Sequence, residues 1–130
     1  MVRIKELYAL QHGHEQALVN AGIHTTEQLL DAGATATGRM RIADETQLTE
    51  EMIKNWVHQS DLLRVEGLSP LNARLLCEIG IYTAPKLAYR TAASVHSELA
   101  NGTHKVVLPT LQQLEHFIAA AKLLPKVVYH

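Results

Sequence analysis

Apolar residues along this chain recur at helical spacing rather than in alternation. In "PLNARLLCEIG", residues 70–80, the apolar positions Leu71, Leu75, Leu76 and Ile79 are separated by one, three or four residues. This spacing places apolar side chains on one face of a helix, which is typical of a helix packed on a core. The hydrophobic pattern therefore predicts helices.

Residues that begin and end helices flank these apolar segments. Two T-x-x-Q sequences, beginning at Thr25 and Thr110, predict capping boxes at helix starts, and Thr83 can cap a third helix. Gly22 and Gly80 each follow a helical segment, where a left-handed residue commonly ends the helix. The signals agree on helices joined by short connections.

The same pattern occurs twice. "AGIHTTEQLL" at 21–30 matches "IGIYTAPKLA" at 79–88 with an offset of 58, and 49–63 matches 110–124 with an offset of 61. Agreement on both sides of a small length difference indicates an internal repeat. We expect apolar residues at matching positions to form the core, namely Leu18, Ile23, Leu29 and Trp56 in the first copy and Leu76, Ile81, Leu87 and Phe117 in the second.

These observations predict an all-α fold for the whole chain. Val106-Val107 is the only strand-like run, and it is too short to build a sheet. We expect one domain, 1–130, with repeat one at 1–61 and repeat two at 62–130, fused into a compact helical unit.

Composition excludes several classes of protein. No apolar run approaches the ~18 residues that span a membrane, and the N-terminal sequence is charged where a signal peptide is apolar, so we expect a cytoplasmic protein that does not bind membranes. Residues 1–61 carry a net charge of −4 and residues 62–130 a net charge of +3. A surface that binds anions is therefore expected in the second half.

Candidate chemistry is sparse. The single cysteine, Cys77, lies in an apolar helical pattern and is expected to be an inert thiol. Eight histidines include His12 and His14, but no spacing of a structural metal site accompanies them. The adjacent carboxylates Glu50 and Glu51 suit the first turn of a helix and have no evident catalytic partner. We expect no enzyme activity, no cofactor and no metal.

The segment "LLRVEGLSPLNARLLCEIGIYTAPKLA", residues 62–88, resembles the helix-hairpin-helix motif, most closely that of the N-terminal domains of RecA-like recombinases. The linked pair of copies resembles a bacterial family of unknown function, the domain of unknown function 4332 family, whose members carry such a tandem without an assigned activity. The residues that fit the motif are Leu62, Val65, Gly67, Leu68, Ala73, Leu76, Gly80, Ile81 and Thr83.

The resemblance implies binding of the DNA backbone without sequence readout, but the chain departs from the motif. Ser69 replaces the second glycine of the corner "GLSP". The first copy has "LYALQHGHEQALV" at 7–19 instead, with its glycine displaced to Gly13. We expect the first copy to lack the corner and the capacity to bind a backbone.

Two hypotheses remain for the corner in the second copy. A glycine turn before a helix exposes N–H groups to a phosphate, which would make the chain a non-catalytic module for weak binding of DNA or RNA backbone. In the alternative, Gly67 only reverses the chain, Ser69 only caps the helix, and the protein binds a protein partner or itself. The candidate residues are Arg64, Gly67, Leu68, Ser69, Leu71, Asn72, Arg74 and Lys86.

Overall fold

The protein is helical. The computed structural model describes residues 2–102 and 106–129, and within them extended pairing is confined to one isolated antiparallel bridge between Arg3 and Thr25. The predicted all-α class is confirmed. A 3-10 turn at Ile4–Glu6 precedes the α-helices, which are α1 (His12–Asn20), α2 (Thr26–Ala32), α3 (Ala36–Thr46), α4 (Glu50–Leu62), α5 (Pro70–Glu78), α6 (Ala84–Ala88), α7 (Ala92–Asn101) and α8 (Leu111–Ala121).

Helix starts are fixed by the predicted capping residues. At α2 the N–H of Gln28 donates to Thr25 Oγ1 over 3.2 Å, and Gln28 Oε1 accepts from the Thr25 N–H over 3.3 Å. At α8, Thr110 and Gln113 make the same pair of bonds at 3.1 and 2.8 Å. Thr83 caps α6. Each bond satisfies an N–H that has no partner inside its own helix, which is why these threonines set the boundaries.

The backbone divides into two compact units. The first contains residues up to Asp61 together with the segment from Val127, and the second is Leu62–Lys126. The first unit therefore includes α1 to α3 and nearly all of α4, while the second includes α5 to α8. That the whole chain is a single domain of two repeats stays a prediction.

Each unit has its own buried side chains at the predicted positions. In the first unit Leu18 and Leu29 are fully buried, and in the second Leu76 and Leu87 are equally inaccessible. The other predicted core residues, Ile23, Trp56, Ile81 and Phe117, are also buried. Side chains of this size supply most of the hydrophobic stabilisation, at roughly 1.5–3 kcal/mol for each complete burial.

The turns after α1 and α5 have the same geometry. Gly22 and Gly80 have φ of +88° and +87°, as predicted for residues that end a helix in the left-handed region. The N–H of Ile23 donates to Leu18 O over 2.9 Å. The N–H of Ile81 donates to Leu76 O over the same distance. Glycine is favoured here because a side chain is strained at such a φ.

The prediction that the first copy lacks the corner is wrong for the backbone. Before α1, Ala9 has a φ of +65°, and the N–H of Leu10 donates to Leu7 O over 3.3 Å. Gly67 has a φ of +83° at the corresponding place before α5. The displaced Gly13 lies inside α1 and takes no part in the turn. Alanine can adopt the left-handed conformation at a cost of roughly 1–2 kcal/mol, so absence of a glycine did not exclude the corner.

Candidate functional site

The corner of the second unit is the turn between α4 and α5. The N–H of Leu68 donates to Val65 O over 3.1 Å, which closes the turn around Gly67. Val65 and Leu68 are both buried and belong to the apolar core of this unit. A Cβ at Gly67 would lie 3.6 Å from the ring of Phe117, an ordinary contact, so the positive φ rather than crowding explains the glycine.

The first turn of α5 is partly satisfied from within. Ser69 Oγ accepts from the N–H of Asn72 over 3.2 Å, and Pro70 occupies the first helical position. The N–H groups of two candidate residues, Leu68 and Asn72, are therefore already bonded. In the part of the chain that the structure describes, the N–H groups of Ser69 and Leu71 have no acceptor.

The two arginines near the corner contact other groups in the same unit. Arg64 Nη2 donates to the carbonyl of Pro125 over 2.9 Å. Arg74 Nε lies 3.3 Å from Glu78 Oε1, with side chains 38% and 39% exposed. A pair this open to solvent contributes little and can exchange partners, so Arg74 retains the capacity to bind an anion.

The remaining predicted cation lies on α6. Lys86 Nζ is 5.6 Å from the centroid of the Tyr82 ring, within range of a cation–π contact. The eight predicted residues are thus distributed over the turn before α5, over α5 itself and over α6, all in one unit.

The corner of the first unit is closed by a side chain that the sequence analysis did not identify. The N–H of Gln11, which corresponds to that of Ser69, donates to His14 Nδ1 over 3.1 Å. The His14 ring also lies 5.2 Å from the ring of Trp56, centroid to centroid. In the sequence, His14 lies three residues after Gln11, which is the spacing of a capping box, and its side chain can accept a hydrogen bond.

Other chemistry is limited within the described residues. They include no group of three metal-ligating side chains, and His104 and His130 lie outside them. Burial, followed by the negative charge of Glu78, raises the pKa of the Cys77 thiol to about 12. The thiolate, which is the nucleophile, is therefore scarce at neutral pH. No helix among these residues is long and apolar enough to cross a bilayer.

The described residues form an all-helical protein. In its second unit a left-handed turn at Gly67 precedes the capped helix α5. A comparison with family models matches residues 9–124 to a domain of unknown function, DUF4332. The chain belongs to that family. Comparisons with curated proteins and with solved structures gave no significant match.

Proposed function

We propose that the protein is a non-catalytic module that binds the phosphate backbone of DNA or RNA weakly and without sequence readout, through the corner of the second unit. One observation carries the proposal. The Ser69 and Leu71 N–H groups at the start of α5 have no acceptor in the described structure, whereas the corresponding Gln11 N–H of the first unit is bonded to His14. Helix N-termini with available N–H groups bind phosphate because the helix dipole adds to the hydrogen bonds.

The charge distribution supports the same unit. Leu62–Lys126 has seven basic and four acidic residues, whereas 1–61 has five basic and nine acidic residues. Two N–H groups with Arg74 and Lys86 can neutralise only a few phosphates. The logarithm of the binding constant should then fall with the logarithm of salt concentration with a slope of roughly −2 to −4.

Fluorescence anisotropy of a labelled duplex and a labelled single strand, measured across salt concentrations, tests the proposal. The double substitution Arg74→Glu/Lys86→Glu should abolish binding, because it reverses the charge of two candidate phosphate-binding side chains of the second unit. Arg64 is left intact because it bonds to a backbone carbonyl. Lys54→Glu in the acidic first unit is the matched control and should change the affinity far less. Absence of binding by the unsubstituted protein at low salt would overturn the proposal.

A second candidate function is interaction with a protein, including another copy of the chain. It is favoured by apolar side chains of the second unit that are open to solvent, which include Tyr89 (90% exposed), Val107 (89% exposed) and Leu123 (86% exposed). A partner that covers them would remove apolar surface from water, which is favourable. Light scattering of the protein alone at low and high salt tests self-association, because an apolar contact persists at high salt. The anisotropy measurement separates this candidate from nucleic-acid binding.

A further inference from the structure

The last described residues of the chain, 127–129, dock on the first unit next to the residues that precede α3. The N–H of Tyr129 donates to Ala34 O over 2.7 Å, and the carbonyl of Tyr129 accepts from Arg39 Nη2 over 2.8 Å. Arg39 is itself held by a bond from Nη1 to Gly33 O over 2.9 Å. The preceding side chain, Val128, is 2% exposed. The first unit thus buries Val128 and bonds the main chain of Tyr129, whose side chain is half exposed.

The second unit has an open cleft at the corresponding place. Thr35 caps α3 and Thr91 caps α7 through the same bond to the third residue, so Arg90 corresponds to Ala34, the acceptor for Tyr129. From Arg90 a cleft of about 490 Å³ extends between the beginning of α7 and the end of α8. No cation corresponds to Arg39, because the equivalent residue of α7 is the buried Val95. An occupant would therefore be held less tightly than the segment on the first unit.

Part of the cleft lining is apolar. Ala92 of α7 lines it together with Ile118, Ala119 and Leu123, and the charged side chains of Arg90, Glu115 and Lys122 complete most of the remainder. Leu123 is almost fully exposed. Covering this side chain would remove apolar surface from water, a gain of roughly 25 cal/mol for each Å².

The chain contains a second segment like the one that docks on the first unit. "KVVY" at 126–129 is the docked sequence, and "KVVL" occurs at 105–108. Val106 and Val107 are 41% and 89% exposed. Pro109 disfavours a helical conformation at Leu108, so the segment is already biased towards the extended form that a cleft can accept.

The segment at 106–108 is too far from the cleft of its own chain to bind there. The two helices α7 and α8 pack against each other, and the segment lies in the connection between the end of α7 and the start of α8. The cleft is at the opposite ends of both helices. With ten residues at 1.5 Å each, α7 separates them by roughly 15 Å.

We propose that the α7–α8 cleft of one copy binds Val106 and Val107 of a second copy, and that the exchange is reciprocal, while Leu108 stays packed against the core of its own unit. Each copy carries both the cleft and the segment that fills it, so mutual insertion closes a two-fold dimer and leaves neither site unused. Because each segment is short, the interface belongs to the small, weak class and dimers form only at high protein concentration. This site is separate from the α5 corner and does not depend on nucleic-acid binding.

Sedimentation velocity across a protein concentration series tests the dimer. The unsubstituted chain should shift from monomer to dimer, and Val107→Glu or Leu123→Glu should each shift the midpoint to at least tenfold higher concentration. Both side chains are exposed, so neither substitution disturbs the core. Met40→Glu, an exposed apolar position in the first unit, is the matched control and should leave the midpoint unchanged. A chain that stays monomeric, or a midpoint that neither substitution moves, would overturn the proposal.

Disulfide trapping tests which surfaces meet. A mixture of Val107→Cys and Ala119→Cys chains should give a mixed disulfide dimer on oxidation, whereas each chain alone should give little. The native Cys77 should not interfere, because its thiol stays protonated at neutral pH, and the unsubstituted chain controls for it. Equal trapping in the mixture and in the single variants would overturn the exchange. Binding of a synthetic KVVL peptide by a protein that never dimerises would show that another chain supplies the segment and would also overturn it.

Discussion

The two corner turns allow a reciprocal test of backbone strain. Ala9 has a φ of +65° and Gly67 a φ of +83°, so the same left-handed turn has a side chain in one unit and none in the other. Ala9→Gly relieves strain, and Gly67→Ala introduces it. Neither change alters hydrophobic packing greatly, because the added Cβ at Gly67 makes only an ordinary 3.6 Å contact.

The expected magnitude follows from two opposing terms. A non-glycine residue in the left-handed region costs roughly 1–2 kcal/mol, and the greater freedom of glycine in the unfolded chain costs roughly 0.5–1 kcal/mol. The net is about 0.7 kcal/mol in favour of glycine at either position. Ala9→Gly should therefore raise the free energy of unfolding by about this amount, and Gly67→Ala should lower it by about the same.

Urea unfolding measures the difference. A change of 0.7 kcal/mol shifts the midpoint by roughly 0.2–0.7 M for slopes of 1–3 kcal/mol/M. Trp56 fluorescence reports the first unit and circular dichroism reports both. Gly13→Ala is the control, since Gly13 lies inside α1 with no atom within 4 Å of an added Cβ. The control should raise stability by about 0.5–1 kcal/mol. Loss of stability in both Ala9→Gly and Gly67→Ala would refute the strain argument.

Three further predictions follow from burial and titration. Leu76→Ala should lower the free energy of unfolding by about 2–5 kcal/mol because it leaves a cavity in the core, whereas Leu123→Ala on the surface should change it by less than about 0.5 kcal/mol; urea unfolding checks both. The raised pKa of Cys77 means that the unfolded chain loses this proton first, so the stability contributed by the neutral thiol is complete below about pH 9 and is lost as pH rises towards 12. Unfolding of Cys77→Ala should lack that part of the pH dependence, and an identical profile would contradict the assignment. Trp56 is 2% exposed, so its emission should be blue-shifted and poorly quenched by iodide; free quenching in the folded protein would show that it is not in the core.

Much of the fold could be predicted because its determinants are local. Thr25 and Thr110 cap helices through residues three positions along the chain. Gly22 and Gly80 end helices because few other residues tolerate their φ. The candidate site was less predictable, because the local sequence does not fix every left-handed turn. A glycine in the sequence indicates a possible left-handed turn, but Ala9 shows that its absence does not exclude one.

The sequence by itself determined the helical class, the starts of the capped helices, the buried positions and the uneven charge of the two halves. Tertiary structure alone decided which polar groups distant in the chain are bonded to each other. Arg39 Nη2 donates to the carbonyl of Tyr129, which is 90 residues away in the chain. The physical reason is that capping and helical periodicity depend on neighbours within about one turn. Whether an N–H or a cleft remains open depends on groups that only the folded chain brings together.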